Sequence, residues 1–243
     1  MTAPILEELN GNALLSKLRE HDRKRLLPHL MTFNLKSNDI LQEAGRDVVH
    51  TWFPCDSAQA AFTIWVDENN PALEVAQVGR EGAVGGIVSN GSAPAYATSQ
   101  VSCGGKFLRI KTLALEEAKL DSIALRHWFS RYSDCLIAQI FQTAACNATH
   151  TIIQRTAKWL LAAVARTNGD EVEMTHDRLA EMLGVGRTFV TRIVSQLRHE
   201  GVIATRRGVF VVKDGAALRE RSCGCTTAIE MHFDTVLHEI YPR

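Results

Sequence analysis

Two amphipathic helical patterns hinged on one glycine constrain this chain more than any other feature. Thr175 suits an N-cap, with Asp177 in the first turn near the positive end of the helix dipole. Leu179, Met182 and Leu183 fall on one face of the first helix, and Gly184 permits the sharp turn that ends it. A second helix follows Gly186 and runs from about Arg187 to His199. Val190, Ile193, Val194 and Leu197 repeat at helical spacing on one side, and Arg187, Thr188, Thr191 and Arg192 occupy the other. After Gly201, Ile203–Thr205 and Val209–Val212 read as two short strands around an Arg-Arg-Gly turn. Helix, turn, helix and β-hairpin in this order predict a winged helix-turn-helix.

Charge gives that unit a function class. Val185–Lys213 carries Arg187, Arg192, Arg198, Arg206, Arg207 and Lys213 against the single acid Glu200, a local balance of +5. The whole chain has 27 basic and 27 acidic residues and is neutral, so its overall balance hides the patch. A local positive surface is what phosphate contact requires. The expected partner is therefore double-stranded DNA. The bland alternative is a helical hairpin with a solvated basic face.

The 243 residues suit one large domain or two small ones. The longest apolar runs, such as Trp159–Ala165, are far too short to span a membrane. The N-terminus lacks the basic and apolar regions of a signal peptide, so a cytoplasmic location without membrane contact is expected. The cysteines at 55, 103, 135, 146, 223 and 225 are scattered apart from the last pair and read as reduced thiols. No P-loop, nucleophile elbow, H-E-x-x-H or paired-carboxylate motif is present, and no enzymatic activity is expected.

Residues 5–30 are helical in pattern. Between Met31 and Ile110 short apolar or alternating runs (His50–Pro54, Ala61–Val66, Leu73–Val78, Tyr96–Ser102, Lys106–Ile110) are separated by Gly, Pro, Asn and Asp, as in an all-β roll or barrel. From Ser122 to Thr149 the pattern is one long helix of roughly 40 Å at about 1.5 Å per residue. Leu125, Phe129, Tyr132, Leu136, Ile140 and Thr143 form its stripe, which the favoured reading makes a dimer seam. The alternative is a helix buried against its own domain. A further amphipathic helix, about Ile152–Ala165, leads into the basic unit. The class is α+β: an N-terminal jelly-roll-like β-roll over 1–121, a dimerisation helix over 122–149 and a winged helix-turn-helix over 150–243.

This order resembles the Crp/Fnr family of bacterial transcription regulators. The resemblance is carried by Phe53-Pro54, by Val78-Gly79-Arg80-Glu81-Gly82-Ala83-Val84-Gly85, and by Leu179-Ala180, Leu183-Gly184-Val185, Arg187, Val190-Thr191 and Gly201-Val202-Ile203. It implies a homodimer with a cyclic-nucleotide-binding-like sensor roll, and names RNA polymerase as a further candidate partner. It places Arg187, Thr188 and Arg192 at the principal base-reading positions. The two arginines suit bidentate contact with guanine. Thr188 stands where a glutamate is frequent, so the operator should differ at that base. Thr191, Arg206 and Arg207 are better placed for phosphate, and Thr175 and Gly186 complete the expected DNA-facing set.

The family's ligand chemistry does not carry over. Its cyclic-nucleotide binders use a Gly-Glu pair for the ribose and an Arg-Ser or Arg-Thr pair for the phosphate. These positions read Gly85-Gly86 and Pro94-Ala95 here, and Gly82–Gly105 contains no charged residue. A cyclic phosphate needs a cation or several aimed donors, so no appreciable binding of cyclic AMP or cyclic GMP is expected. Gly85, Gly86, Pro94, Ala95 and Tyr96 mark the candidate sensor pocket. It is either filled by its own side chains or open to an uncharged ligand or a partner protein, and the effector is unassigned. The iron–sulfur branch of the family uses an N-terminal cysteine cluster, which nothing before Cys55 supplies. Cys223-Gly224-Cys225, with His232 and His238 beyond it, could bind zinc or act as a redox pair. Its spacing matches no common zinc motif, so a structural role is favoured and neither metal nor cofactor is expected. The competing functional reading is an interaction protein whose degenerate roll docks a partner and whose helix-turn-helix has lost base reading. Arg187 and Arg192 favour the regulator.

Overall fold

The computed structural model describes residues 2–68, 73–87, 93–167 and 169–238. In chain order the elements are α1 (Ala13–Ser16), α2 (Glu20–Leu26), β1 (Met31–Leu35), β2 (Ile40–Gln42), β3 (His50–Pro54), β4 (Gln59–Ile64), β5 (Leu73–Val78), β6 (Thr98–Cys103), β7 (Gly105–Lys111), α3 (Thr112–Asp121) and α4 (Ile123–Thr149). These are followed by α5 (Ile152–Thr167), β8 (Glu171–Glu173), α6 (His176–Leu183), α7 (Arg187–His199), β9 (Ile203–Arg206), β10 (Val209–Val212), α8 (Gly215–Glu220) and α9 (Cys225–Leu237). The contacts divide the chain into two compact units. One comprises Met1–Ile64, Val75–Ile137 and Phe233–Arg243, and the other Trp65–Glu74 and Ala138–His232.

The first unit is a roll of two sheets, ordered β1-β7-β3 and β2-β6-β4-β5. The pairs β1/β7, β3/β7, β2/β6 and β4/β6 are antiparallel. Strands β3 and β5 lie where the apolar runs predicted them. Strands β1 and β2 were not foreseen, because their sequences, Met-Thr-Phe-Asn-Leu and Ile-Leu-Gln, are short and only partly buried. The core joins Phe53, Leu108 and Ile110 of the strands to Leu14, Leu15 and Leu26 of the N-terminal helices.

A buried amide ties these parts together. Asn12 is fully buried, and its Nδ2 donates to the carbonyls of Pro54 at 2.8 Å and Gly82 at 2.9 Å. Its Oδ1 accepts from the backbone N–H groups of Leu14 at 3.0 Å and Leu15 at 3.2 Å, capping α1. Every hydrogen-bonding position of the amide is filled. Tyr132 Oη donates to Ala83 O at 3.0 Å, and Trp128 Nε1 to Leu14 O at 3.0 Å, so α4 enters the same network.

Helix α4 corrects the expected seam. Leu125 and Phe129 are 0% exposed and Tyr132 is 1% exposed, all within the core of their own unit. Leu136 is half-buried and packs on Phe107 and its neighbours. The first half of the stripe is therefore the alternative, a helix buried against its own domain. Further along, Ile137, Ile140, Phe141 and Ala144 are exposed, with Thr143 half-buried beside them. Helical periodicity shows which side of a helix is apolar, and the roll covers only part of that length.

In the second unit α5, α6 and α7 pack with β8, β9 and β10, ordered β8-β10-β9. Strand β8 widens the expected hairpin into a three-stranded sheet, pairing Val172 with Phe210.

Replacing Asn12 with Ala should strand two buried carbonyls and uncap α1. The expected loss is about 2–3 kcal/mol of stability, read as a lower urea midpoint.

Candidate nucleic-acid interface

The helix-turn-helix forms for the reasons legible in its residues. Thr175 Oγ1 accepts the N–H of Arg178 at 3.1 Å and caps α6. Gly184 adopts φ 64° and ψ 40°, the left-handed conformation that only glycine reaches without steric cost, and its N–H returns to the last turn of α6. Gly186, with extended backbone, precedes α7. Val190, Ile193, Val194 and Leu197 of α7 are buried against Leu179, Ala180 and Leu183 of α6 and Ala157 and Leu160 of α5.

One support was not foreseen. The Arg155 guanidinium, nine-tenths buried, donates to Leu183 O at 2.7 Å and places a cation at the C-terminal end of α6. Burial lowers its pKa from the usual arginine value. Arginine at a surface-like position of α5 carries no sequence signal that it turns inward.

With the apolar face covered, the other face of α7 is solvent-exposed. Gly186, Arg187, Thr188, Thr191 and Arg192 are all exposed. Arg187 pairs with Asp177 of α6 at 3.1 Å, both side chains more than half exposed. The Arg192 guanidinium lies 5.4 Å from the Phe189 ring centre, a cation–π contact. Phe189 is itself 50% exposed and was missed, because an aromatic beside the apolar Val190 reads as core. Thr191 Oγ1 is 3.2 Å from His176 Nδ1, and the His176 ring stacks on Phe210 at 5.5 Å. In the hairpin, Arg206 forms an ion pair with Glu171, and Arg207 stands exposed at the turn. A shallow groove between α7 and β9 is lined by Ser195, Arg198, His199, Ile203, Ala204 and Thr205. The structure thus brings the α7 residues together on one face. Thr175 is exposed, but its hydroxyl is engaged as a cap.

The expected sensor residues sit in unlike surroundings, some closely packed and some exposed. A Cβ at Gly86, where φ is 58°, would lie 2.5 Å from the Thr112 hydroxyl oxygen and 2.6 Å from that of Thr51, so no side chain fits there. Gly85 packs as closely on the backbone of His50. Ala95 is buried and exchanges backbone hydrogen bonds with Gly45 and Arg46. Pro94 is exposed, and Tyr96 is 89% exposed. Tyr96 therefore faces solvent, because the strand-like bridge Asp47–Pro94 holds this backbone at the surface. Residues 88–92 of the charge-free stretch lie outside the described residues.

Residues 154–221 match the Crp-like helix-turn-helix domain. Among solved structures, one assigned as a Crp/Fnr-family transcriptional regulator from Eubacterium rectale superposes with a TM-score of 0.71 at 18% identity, covering 87% of this chain and 98% of that one. FixK2 from Bradyrhizobium japonicum gives 0.67 at 13% identity, covering 80% and 98%. The c-di-GMP-responsive global regulator CLP of Xanthomonas campestris gives 0.66 at 14%, covering 80% and 99%. No curated protein matches the sequence. Among the described residues no helix is long and apolar enough to cross a membrane.

Gly184→Ala should cost about 1–2 kcal/mol through its left-handed backbone. Gly186→Ala, extended and with open space around it, should cost clearly less. Denaturant midpoints of the two variants, compared side by side, check the difference.

Proposed function

We propose that this chain, with the fold of the Crp/Fnr regulators and a Crp-like helix-turn-helix domain, is a sequence-specific DNA-binding transcription regulator. The observation that carries the reading is α7. Val190, Ile193, Val194 and Leu197 are buried on one side of it, and Arg187, Thr188 and Arg192 share its solvent face. Such a helix enters the major groove by its N-terminal end. Arg187 and Arg192 suit guanine O6 and N7, Thr188 an adjacent base edge, and Phe189 a thymine methyl. Asp177 holds Arg187 over α6 until the base replaces it. Arg207 and, once released from Glu171, Arg206 reach phosphate from the hairpin. Thr191 would exchange His176 for a phosphate oxygen.

The working form is a homodimer reading half-sites about one turn of DNA apart, or ~34 Å. Its seam is Ile137, Ile140, Phe141 and Ala144, an exposed i, i+3, i+4, i+7 stripe on α4. The controlling signal is not a cyclic nucleotide bound in the family manner. The close packing at Gly86 and the lack of charge from Gly82 to Gly105 both argue against it. Location in the cytoplasm and contact with RNA polymerase follow from this role.

Selection of bound sequences from random DNA, followed by titration, tests the reading. Arg187→Ala should lose about 1–3 kcal/mol of preference for the selected operator over scrambled DNA. An unchanged preference would remove Arg187 from base reading. Ile137→Glu combined with Phe141→Glu should give folded monomers in analytical ultracentrifugation, whereas Phe129→Glu should unfold the roll. A folded dimer carrying both glutamates would move the seam elsewhere.

A further inference from the structure

Four metal-ligating side chains converge at the end of the second unit. Cys146 and His150 are four residues apart and share a face where α4 ends. Cys223 lies just before α9, and Cys225 is its first residue. Their ligand atoms all lie within 4.8 Å of one another. Cys146 Sγ is 3.7 Å from Cys223 Sγ, and Cys225 Sγ is 3.6 Å from His150 Nδ1. The three cysteines are buried and form a cluster containing no other apolar residue. A disulfide would bring two sulfurs to about 2.05 Å and leave the other two ligand atoms without a role. At Zn–S distances of about 2.3 Å, tetrahedral thiolates sit about 3.8 Å apart, close to the observed separation. An iron–sulfur cluster inserts iron and sulfide between its thiolates and needs a wider cage.

The surroundings complete the chemistry. Lys158 Nζ lies 3.4 Å from Cys146 Sγ, and Gln142 Nε2 donates to Cys225 Sγ at 3.2 Å. Such outer donors orient thiolates and temper their charge. Three thiolates and a neutral imidazole around Zn²⁺ leave one negative charge, which Lys158 matches.

We propose that Cys146, His150, Cys223 and Cys225 bind a single zinc ion in a closed, structural site. Binding would release the three thiol protons to solvent. All four positions come from protein, leaving none open for catalysis. Cys146 and Cys223 are 77 positions apart, and the winged helix-turn-helix lies wholly between them. The ion therefore closes that loop and fastens the start of α9 to the end of α4. This departs from the expectation of a metal-free chain. His232 and His238 are exposed and take no part in the cluster. The site does not depend on what the helix-turn-helix binds.

The test is the metal content of the full chain, purified under reducing conditions and measured by mass spectrometry. One zinc per chain is expected, with loss in Cys146→Ser and Cys225→Ser and retention in His150→Cys. Background zinc in the wild type after reduction and zinc loading would overturn the proposal. So would full occupancy in both serine variants. Should those variants fail to fold, cobalt substitution of the wild type decides the matter. Intense visible bands of tetrahedral, thiolate-bound Co²⁺ support the site, and a pale octahedral spectrum overturns it. Chelation should also lower the melting temperature of the wild type and leave that of Cys225→Ser unmoved.

Discussion

Two inward-facing carbonyls, at Pro54 and Gly82, set the terms for the first unit. A buried carbonyl without a donor costs about 1–3 kcal/mol, a large fraction of a domain's net stability. The Asn12 amide satisfies both and caps α1 with its oxygen. One side chain therefore fixes the N-terminal helices to the end of β3 and to the turn before Val84. Tyr132 and Trp128 add phenol and indole bonds from α4 to the same region. That anchoring is why the first half of α4 cannot serve as an external seam.

The proposed recognition face is held differently. Its contacts, Arg187 with Asp177 and Arg192 with Phe189, are exposed and individually weak. Exposed ion pairs contribute about 0–1 kcal/mol, less than the roughly 1–3 kcal/mol of a bidentate base contact. On the proposed reading, these interactions would preset the arginines without competing strongly with DNA. The load on the scaffold is borne instead by the buried faces of α5, α6 and α7 and by Arg155 at the end of α6.

The roll departs most from a nucleotide sensor. Thr51 and Thr112 crowd Gly86, and Gly82–Gly105 carries no charged residue. On the proposed reading, the controlling signal would act through apolar contact, through a partner, or through the stability of the second unit. The cysteine–histidine cluster bears on the last of these.

Much was legible in the residues alone. The Thr175 cap, the Gly184 turn, the buried face of α7, the extent of α4 and the placing of β3 and β5 all follow from local rules. Spacing and backbone preference act within a few residues, so they survive without knowledge of the rest of the chain. Other features arise only when distant segments meet. Periodicity marked one side of α4 as apolar but could not say that the roll covers Leu125, Phe129 and Tyr132 and leaves Ile137 and Phe141 bare. Asp177 and Glu171 became partners of Arg187 and Arg206 through folding across neighbouring elements. Cys223-Gly224-Cys225 matched no zinc spacing because its remaining ligands lie 75 and 77 positions upstream. A coordination sphere is defined by distance in space, and chain separation says nothing of it until the backbone has closed the loop.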